Sequence, residues 1–498
     1  MAVDVQFNEG MDPVKVFLGN APWKKPGFYG VRAGSRWPHF EVENNRYMPF
    51  PFQLAYATAF LEQEKFEVLL VDGIAEHLSD AQFIEKINSF RPDIIVLEVS
   101  TPSLTADLKM ADKIVQELNH PARLVFCGPH APMREPEFIE RHLNIDIVLL
   151  GEYELTLLNM VKALAAGTAL QEVPGLIYRD QAGKAVPTGK AQIVRDADAF
   201  PWPARHFLPM NNYFDNPGNI PEPALQMWGS RGCPYSCSYC IWPQLMDGNS
   251  YRPRQPENIL DEIEQACSVY GHKSIYFDDD TFNIGKGRML AFCREKTRRG
   301  LDLPWAIMAR ADLMDREILE AMAASGLKAV KYGVESAEPD LLARVGKKLD
   351  LNLAIENIQI TKSLGIKIHL TFMFGIPGET RASVEKTVQL AKKLNAESVQ
   401  FSIMTPLPGT RIYDELLECG HLKVTDWEQL DGYFSSVVRT DSMSAADLEE
   451  AVRYAWRSWA KHKAFKGLTA SDLIGVAKML PRYCRNPIAA WKQMRRMM

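Results

Sequence analysis

The chain has 498 residues, of which 46% are hydrophobic and 24% charged, with a formal net charge of -5. That length exceeds a single hydrophobic core and predicts two or three domains, while the mild acidity gives no general pull toward nucleic acid. Eight cysteines in so long a chain argue against a disulfide framework; no signal-peptide pattern opens it and no run reaches the ~18 apolar residues of a spanning helix, so a cytoplasmic, reducing setting is expected.

From Val14, short apolar runs alternate with amphipathic ones. Strands are predicted at 16–19, 67–72, 94–99, 123–127 and 146–150, and helices at 53–63, 80–90, 106–118, 135–142 and 154–165. This alternation predicts an α/β domain with a parallel sheet covered on both faces, doubly wound and flavodoxin-like (Rossmann-type). Ligands of such sheets bind at the carboxyl ends of the strands. The residues at those ends are Asn20, Asp72, Ser100, Thr101, Ser103, Gly128, Pro129, His130, Gly151, Glu152 and Tyr153.

The run through Arg91-Pro92-Asp93-Ile94, Cys127-Gly128-Pro129-His130 and Leu150-Gly151-Glu152-Tyr153-Glu154 resembles the cobalamin-binding domain fused to many radical S-adenosylmethionine (SAM) enzymes. The resemblance covers about the first third of the chain and implies cobalamin at the strand-end residues just named. The mutase pattern D-x-H-x-x-G is absent: Asp72 is followed by Gly73-Ile74-Ala75, and His77 stands at the wrong offset. Cobalamin is therefore expected without a histidine on cobalt, and His77 reads as a surface helix-cap residue. The family's Gly-Gly is also changed, to Gly128-Pro129. A scaffold of the same topology without a cofactor is the alternative. A glycine-rich, aromatic and basic loop fills 23–39 and is longer than an ordinary βα connection. Arg32 and Arg36, with Trp37, are candidates to meet a phosphate or carboxylate of substrate or cofactor; the other reading is a loop that packs on the next domain.

Residues 174–194 read as a hairpin, with Gly175, Asp180 and Gly183 as turn signals, and 196–219 as an irregular surface linker. A strand at 225–228 then delivers Arg231-Gly232-Cys233-Pro234-Tyr235-Ser236-Cys237-Ser238-Tyr239-Cys240. Its C-x3-C-x2-C spacing supplies three thiolates, one short of the set that usually closes a [4Fe–4S] cluster, so one iron stays open to an outside ligand. A structural zinc site needs four ligands, and no second cysteine pair follows. Beyond it, strands at 274–277, 305–308, 329–333, 367–372 and 398–403 alternate with helices at 258–269, 289–299, 316–324, 353–364 and 382–394. Such βα repeats predict a partial or full (β/α) barrel with its chemistry at the strand carboxyl ends.

The cysteine motif and these strand ends resemble the radical SAM barrel. The resemblance implies a cluster on Cys233, Cys237 and Cys240, with SAM chelating the open iron. It implies SAM contacts from Tyr239, the turn Asp278-Asp279-Asp280, Arg310, Glu335, Gly375 and Pro377. Each acidic residue also sits where a helix N-cap is expected. The domains are expected at 1–168 (cobalamin-binding-like), 169–222 (hairpin and linker), 223–435 (barrel) and 436–498 (helical, with a basic tail). That tail, carrying Lys478, Arg482, Arg485, Lys492, Arg495 and Arg496 beside Trp491, is either a solvated terminal helix or a peripheral contact with an anionic inner membrane face.

The activity implied is reductive SAM cleavage to a 5′-deoxyadenosyl radical, hydrogen abstraction from an unactivated carbon, and methylation of that carbon through cobalamin. The substrate would be a small molecule or lipid, and the electron donor of flavodoxin or ferredoxin type. Two alternatives keep some of these parts: a cobalamin-dependent cyclase or rearrangement enzyme with a tetrapyrrole- or hopanoid-type substrate, and a non-catalytic iron–sulfur redox module.

Overall fold

The structure, a computed structural model, describes residues 14–32, 38–43, 45–432 and 435–465. Arg36, Trp37 and the basic C-terminal tail lie outside the described residues.

β1 (Lys15–Asn20) leads into a small antiparallel sheet, β2 (Lys24–Lys25), β3 (Phe28–Val31) and β4 (His39–Val42), so the long loop is itself folded. There follow α1 (Phe52–Gln63), β5 (Glu67–Asp72), α2 (Asp80–Phe90), β6 (Ile94–Glu98), α3 (Leu104–Glu117), β7 (Arg123–Cys127), α4 (Pro136–Arg141), β8 (Ile147–Leu149) and α5 (Glu154–Ala165). The parallel strands lie in the order β5-β1-β6-β7-β8, which is the flavodoxin order with its reversal between β1 and β6. Burial on both faces explains the unbroken apolar strands. Val16, Leu18, Val96 and Val125 pack with α1 and α5, whereas Phe17, Ile95, Leu97 and Phe126 pack with α2 and α3.

The hairpin of β9 (Leu176–Arg179) and β10 (Ala185–Pro187) pairs antiparallel on β8 and extends this sheet to seven strands. It therefore belongs to the first sheet rather than to a separate junction. The linker returns to the first domain as well, Asn212 donating to Ala75 O at 2.8 Å and Tyr213 to Asp72 at 3.1 Å, and the strand after it does the same. Phe50 N donates to Gln226 Oε1 at 2.9 Å, Gln226 donates back to Met48 O, and Trp228 stacks on Phe52 at 4.4 Å. One hydrophobic cluster runs through both halves.

The second half contains β11 (Ala224–Met227), the short pair β12 (Ser230–Arg231) and β13 (Arg252–Pro253), α6 (Pro256–Tyr270), β14 (Ser274–Phe277), α7 (Lys286–Arg298), β15 (Trp305–Ala309), α8 (Arg316–Ala324), β16 (Leu327–Glu335), α9 (Pro339–Arg344), α10 (Leu351–Ser363), β17 (Lys367–Phe374), α11 (Arg381–Leu394), β18 (Ser398–Ile403), α12 (Arg411–Glu418) and α13 (Ala445–Phe465). The sheet order β11-β14-β15-β16-β17-β18 is parallel throughout, giving the partial form of the (β/α) barrel. α9 and α12, six and eight residues long, show too few turns for an apolar period to register in the sequence. Among the described residues no helix is long and apolar enough to cross a membrane.

Candidate active site

The cysteine loop leaves β12 through Gly232, whose φ of +73° and closeness to Ser250 O (2.1 Å from a built Cβ) admit no side chain. Cys233, Cys237 and Cys240 are half-buried and in no disulfide. Burial pushes the Cys233 thiol up, with Thr281 Oγ1 at 3.6 Å acting against it and Asp280 adding to it. Among the described residues no group of three or more His, Cys, Asp or Glu side chains is set to hold a single metal ion. A four-iron cube asks its thiolates to stand further apart than one ion does, and three thiols in no disulfide on one anchored loop fit it.

Gln244, which sequence reasoning missed, straps this loop. Its Nε2 donates to the carbonyls of Cys240 (2.7 Å), Ser238 (3.1 Å) and Cys237 (3.4 Å), and its Oε1 accepts from Arg411 N at 2.9 Å. Asn249 donates to Tyr235 O, and Ser238 N to Val345 O. Nothing in the residue type of Gln244 announced this; only its offset of four from Cys240 placed it one turn away.

The barrel's carboxyl ends meet the loop from the other side. Glu335, at φ +68°, is buried and paired with Lys347 Nζ at 2.8 Å, and Thr371 donates to it. Lys347 is a second residue that sequence reasoning missed. Burial holds the Tyr239 hydroxyl well above its usual range, with Glu335 and Cys237 adding to the effect, so Tyr239 and Glu335 are neighbours. Arg310 lies over the Tyr235 ring at 3.9 Å and bonds Asp312 and Lys348 O. Asp278 accepts from Tyr276 Oη at 3.0 Å, and Asp280 stands near Cys233. Asp279 has a different task from the one expected: it accepts from Gly229 N and Ser230 Oγ, holding the strand that enters the cysteine loop. Burial pushes its carboxyl up to about 6. Gly375 donates its N–H to buried Glu379, whose carboxyl burial pushes up to about 7; Pro377 is half-buried in the same turn.

The first sheet's carboxyl edge faces these loops. Arg134 donates to Leu245 O, and Gly409 lies against Ala131 (2.5 Å from a built Cβ). Gly128, at φ +113°, would drive a Cβ to 2.2 Å from Val99 O, so only glycine fits that close approach. Thr101 and His130 are brought together, Oγ1 to Nδ1 at 3.0 Å. His130 Nε2 is buried without a hydrogen-bond partner, and burial lowers the imidazole to about 3. Asn20 and Ser100 flank the point between β1 and β6 where strand order reverses. Asn20 Oδ1 is a second buried atom without a partner. Small hydroxyl residues and orphaned polar atoms at a switch point fit a flat, polar cofactor.

Other candidates are satisfied inside the protein. Asp72 accepts from Asn20 Nδ2, Tyr213 Oη and the Ile74 and Ala75 N–H groups, so it closes the turn after β5. Ser103 is shared between Ser100 and Asp107 Oδ2 (2.6 Å). Arg32 does not reach outward for an anion: it is buried, paired with Asp107 at 2.8 Å, and donates to Ala21 O and Glu98 O. Glu152 is likewise no open ligand. Its carboxylate takes Arg231 at 2.7 Å and Arg252 at 2.7 Å, while Glu154 takes Arg231 at 2.6 Å. The Arg231 guanidinium also lies 3.8 Å over the Phe200 ring. This buried network ties the turn Gly151-Glu152-Tyr153 of the first domain to the strand two residues before Cys233. Tyr153 is fully buried, its hydroxyl pushed up by burial beside Cys127 and Glu98.

The B12 binding domain model matches residues 43–161 and the radical SAM superfamily model residues 229–391. The chain is 30% identical to an uncharacterized methyltransferase of Pyrococcus horikoshii, over 82% of this chain and 87% of that protein. It is 27% identical to an anaerobic magnesium-protoporphyrin IX monomethyl ester cyclase of Rubrivivax gelatinosus, over 83% of this chain and 74% of that protein. Its fold is similar to that of the cobalamin-dependent SAM radical enzyme OxsB, solved with aqua-cobalamin and SAM bound, at a TM-score of 0.71 and 18% identity, covering 94% of this chain and 71% of that one.

Proposed function

The chain belongs to the radical SAM family that carries a B12-binding domain, and we propose that it methylates an unactivated carbon of a small molecule. Its cofactors are a [4Fe–4S] cluster, SAM and cobalamin. When bound, the cluster and SAM supply a 5′-deoxyadenosyl radical and cobalamin supplies the methyl group.

Within this reading Cys233, Cys237 and Cys240 hold the cluster, and Gln244 and Asp279 fix the loop that presents them. Tyr239, Asp278, Asp280, Glu335 with Lys347, and the Gly375–Pro377 turn surround SAM. Cobalamin takes the edge where Asn20, Ser100, Thr101, Gly128, His130 and Gly151 gather. The observation that carries the reading is the buried Arg231 network, which fastens the cobalamin-side turn to the cluster-side strand. It sets both cofactor ends in one frame, as a reaction that passes between two cofactors requires. The half-buried cysteines leave the cluster within reach of a flavodoxin- or ferredoxin-type donor.

Anaerobic reconstitution with cluster and cobalamin, followed by SAM and reductant, is expected to yield 5′-deoxyadenosine. Cys237→Ala is expected to lose both the cluster absorbance and that product; a Cys237→Ala protein that still cleaves SAM would refute the ligand assignment. The likeness to a cyclase over 83% of the chain supports a second reading, oxidative cyclisation without methyl transfer. Incorporation of label from methyl-deuterated SAM into product separates the two.

A further inference from the structure

The segment that joins α12 to α13 lies past residue 391, where the match to the radical SAM superfamily ends. Residues 436–443 of it are nevertheless fastened to the barrel half. Leu422 pairs with Val438 in an antiparallel bridge, Lys423 N donates to Val437 O at 2.8 Å, and Arg439 N donates to His421 O at 3.0 Å. On the α13 side Ser436 N donates to Glu449 Oε1 at 3.1 Å, and Arg381 at the start of α11 pairs with Asp447. Thr440 closes a turn within the segment: its N–H donates to Met443 O at 2.9 Å, and its Oγ1 accepts from Met443 N at 3.1 Å. Val438, Thr440 and Met443 are buried.

This strap grips one turn. Thr440 Oγ1 donates to Glu379 O at 3.0 Å, and Ser442 Oγ donates to the same carbonyl at 2.8 Å. Glu379 ends the turn that follows β17, and its carboxyl accepts the N–H of Gly375, which begins it. At that first residue Val438 Cγ2 and Leu448 Cδ1 stand 3.2 and 3.3 Å from a built Cβ. The turn is therefore held at both ends, whereas Pro377 is half-buried and Gly378 exposed between them. Gly375 and Gly378, at φ +96° and +89°, are backbone that rotates at little cost, so the shape of the turn is set by what holds its ends.

We propose that Thr440, with Ser442 beside it, is a positioning residue for SAM: the two hydroxyls hold the Gly375–Glu379 turn in its binding shape from a segment outside the barrel sheet. The inference rests on the reading of this turn as a SAM contact and adds the C-terminal segment to that site. Without the hydroxyls the turn is ordered only as SAM arrives, and the ordering is taken from SAM affinity. Thr440 is buried and Ser442 exposed, so the larger share falls to Thr440. Hydroxyls that served the fold alone would move the melting temperature and leave SAM affinity where it was.

The full chain carrying cluster and cobalamin is dialysed to equilibrium against radiolabelled SAM, without oxygen or reductant, and cobalamin affinity and melting temperature are measured on the same samples. Thr440→Val, of equal size but with no donor, is expected to weaken SAM about three- to tenfold, as loss of one hydrogen bond does, with cobalamin affinity unchanged. Thr440→Ser keeps the hydroxyl and is expected to bind SAM as the wild type does. Thr440→Val also takes the acceptor from Met443 N, so Ser442→Ala guards against a misfolded first variant and is expected to weaken SAM about twofold. The proposal is overturned if SAM affinity ignores both Thr440→Val and Ser442→Ala, if cobalamin affinity falls in equal measure, or if Thr440→Ser binds SAM as poorly as Thr440→Val. Should Thr440→Val not fold, unchanged SAM affinity in Ser442→Ala overturns it alone. Wild-type protein that holds its cluster and binds no SAM refutes the SAM reading and the strap with it, whereas SAM binding equal in wild type and variants refutes the strap only.

Discussion

Glu379 and Gly128 show how single residues are committed by their surroundings. Glu379 is buried and accepts the Gly375 N–H, and its carboxyl is pushed from 4.5 up to about 7. A raised acid pKa means that the folded state holds the proton more tightly than the unfolded one. Stability contributed here is therefore present at low pH and lost as pH rises from about 4.5 to about 7, by about 3 kcal/mol at most. Glu379→Gln keeps an acceptor for Gly375 and removes the ionisation. Thermal melts of the two proteins between pH 5 and 8 are expected to diverge, the wild type falling behind the variant as pH rises. At Gly128, alanine would meet Val99 O in a backbone conformation that side chains rarely adopt. Gly128→Ala is expected to lower stability by about 1–3 kcal/mol and to weaken cobalamin binding, measured by denaturant melts and by titration of the corrinoid absorbance. The need for glycine at 128 was legible from the strand-end motif, but the perturbed Glu379 was not, because a sequence shows a charge and not its burial.

Two elements hold the cysteine loop, one from within the barrel half and one across to the first domain. The cysteine loop is held at its carboxyl end by Gln244, whose amide reaches three of its carbonyls. Gln244→Ala is expected to keep the fold and to speed loss of cluster absorbance on exposure to air, because the loop is freed without removal of a thiol. An unchanged decay rate would show the strap to be idle. The strand β12 is held by Arg231 between Glu152 and Glu154. Removing one partner from a buried network strands the rest, at about 3–5 kcal/mol. Arg231→Met is expected to destabilise by that order in denaturant melts, and adding Glu152→Gln and Glu154→Gln to recover part of it. Arg231→Lys is expected to fall short, since an ammonium cannot serve two carboxylates and a ring face as the planar fork does. The sequence marked Glu152 and Arg32 as ligands for the same reason that it hid their partners: the pairs join residues far apart in the chain, and periodicity reports only local order.

At the scale of the molecule, the two βα series were legible almost strand by strand, because strands buried on both faces read as unbroken apolar runs between amphipathic helices. What the sequence could not convey was the joining. The hairpin reads alone as a junction, yet its strands complete the first sheet, and the linker that looks irregular closes the floor of the barrel through Ile220 and Gly218. The resulting frame sets the first sheet's carboxyl edge against the cluster-side loops, and the central claim is that both cofactors act there. The most direct measurement supplies methyl-deuterated SAM and a reductant, without oxygen, to protein carrying cluster and cobalamin, and follows two products at once. Formation of 5′-deoxyadenosine together with deuterated methyl in the extracted corrinoid is the predicted result. A protein that binds both cofactors and yields neither product contradicts the account.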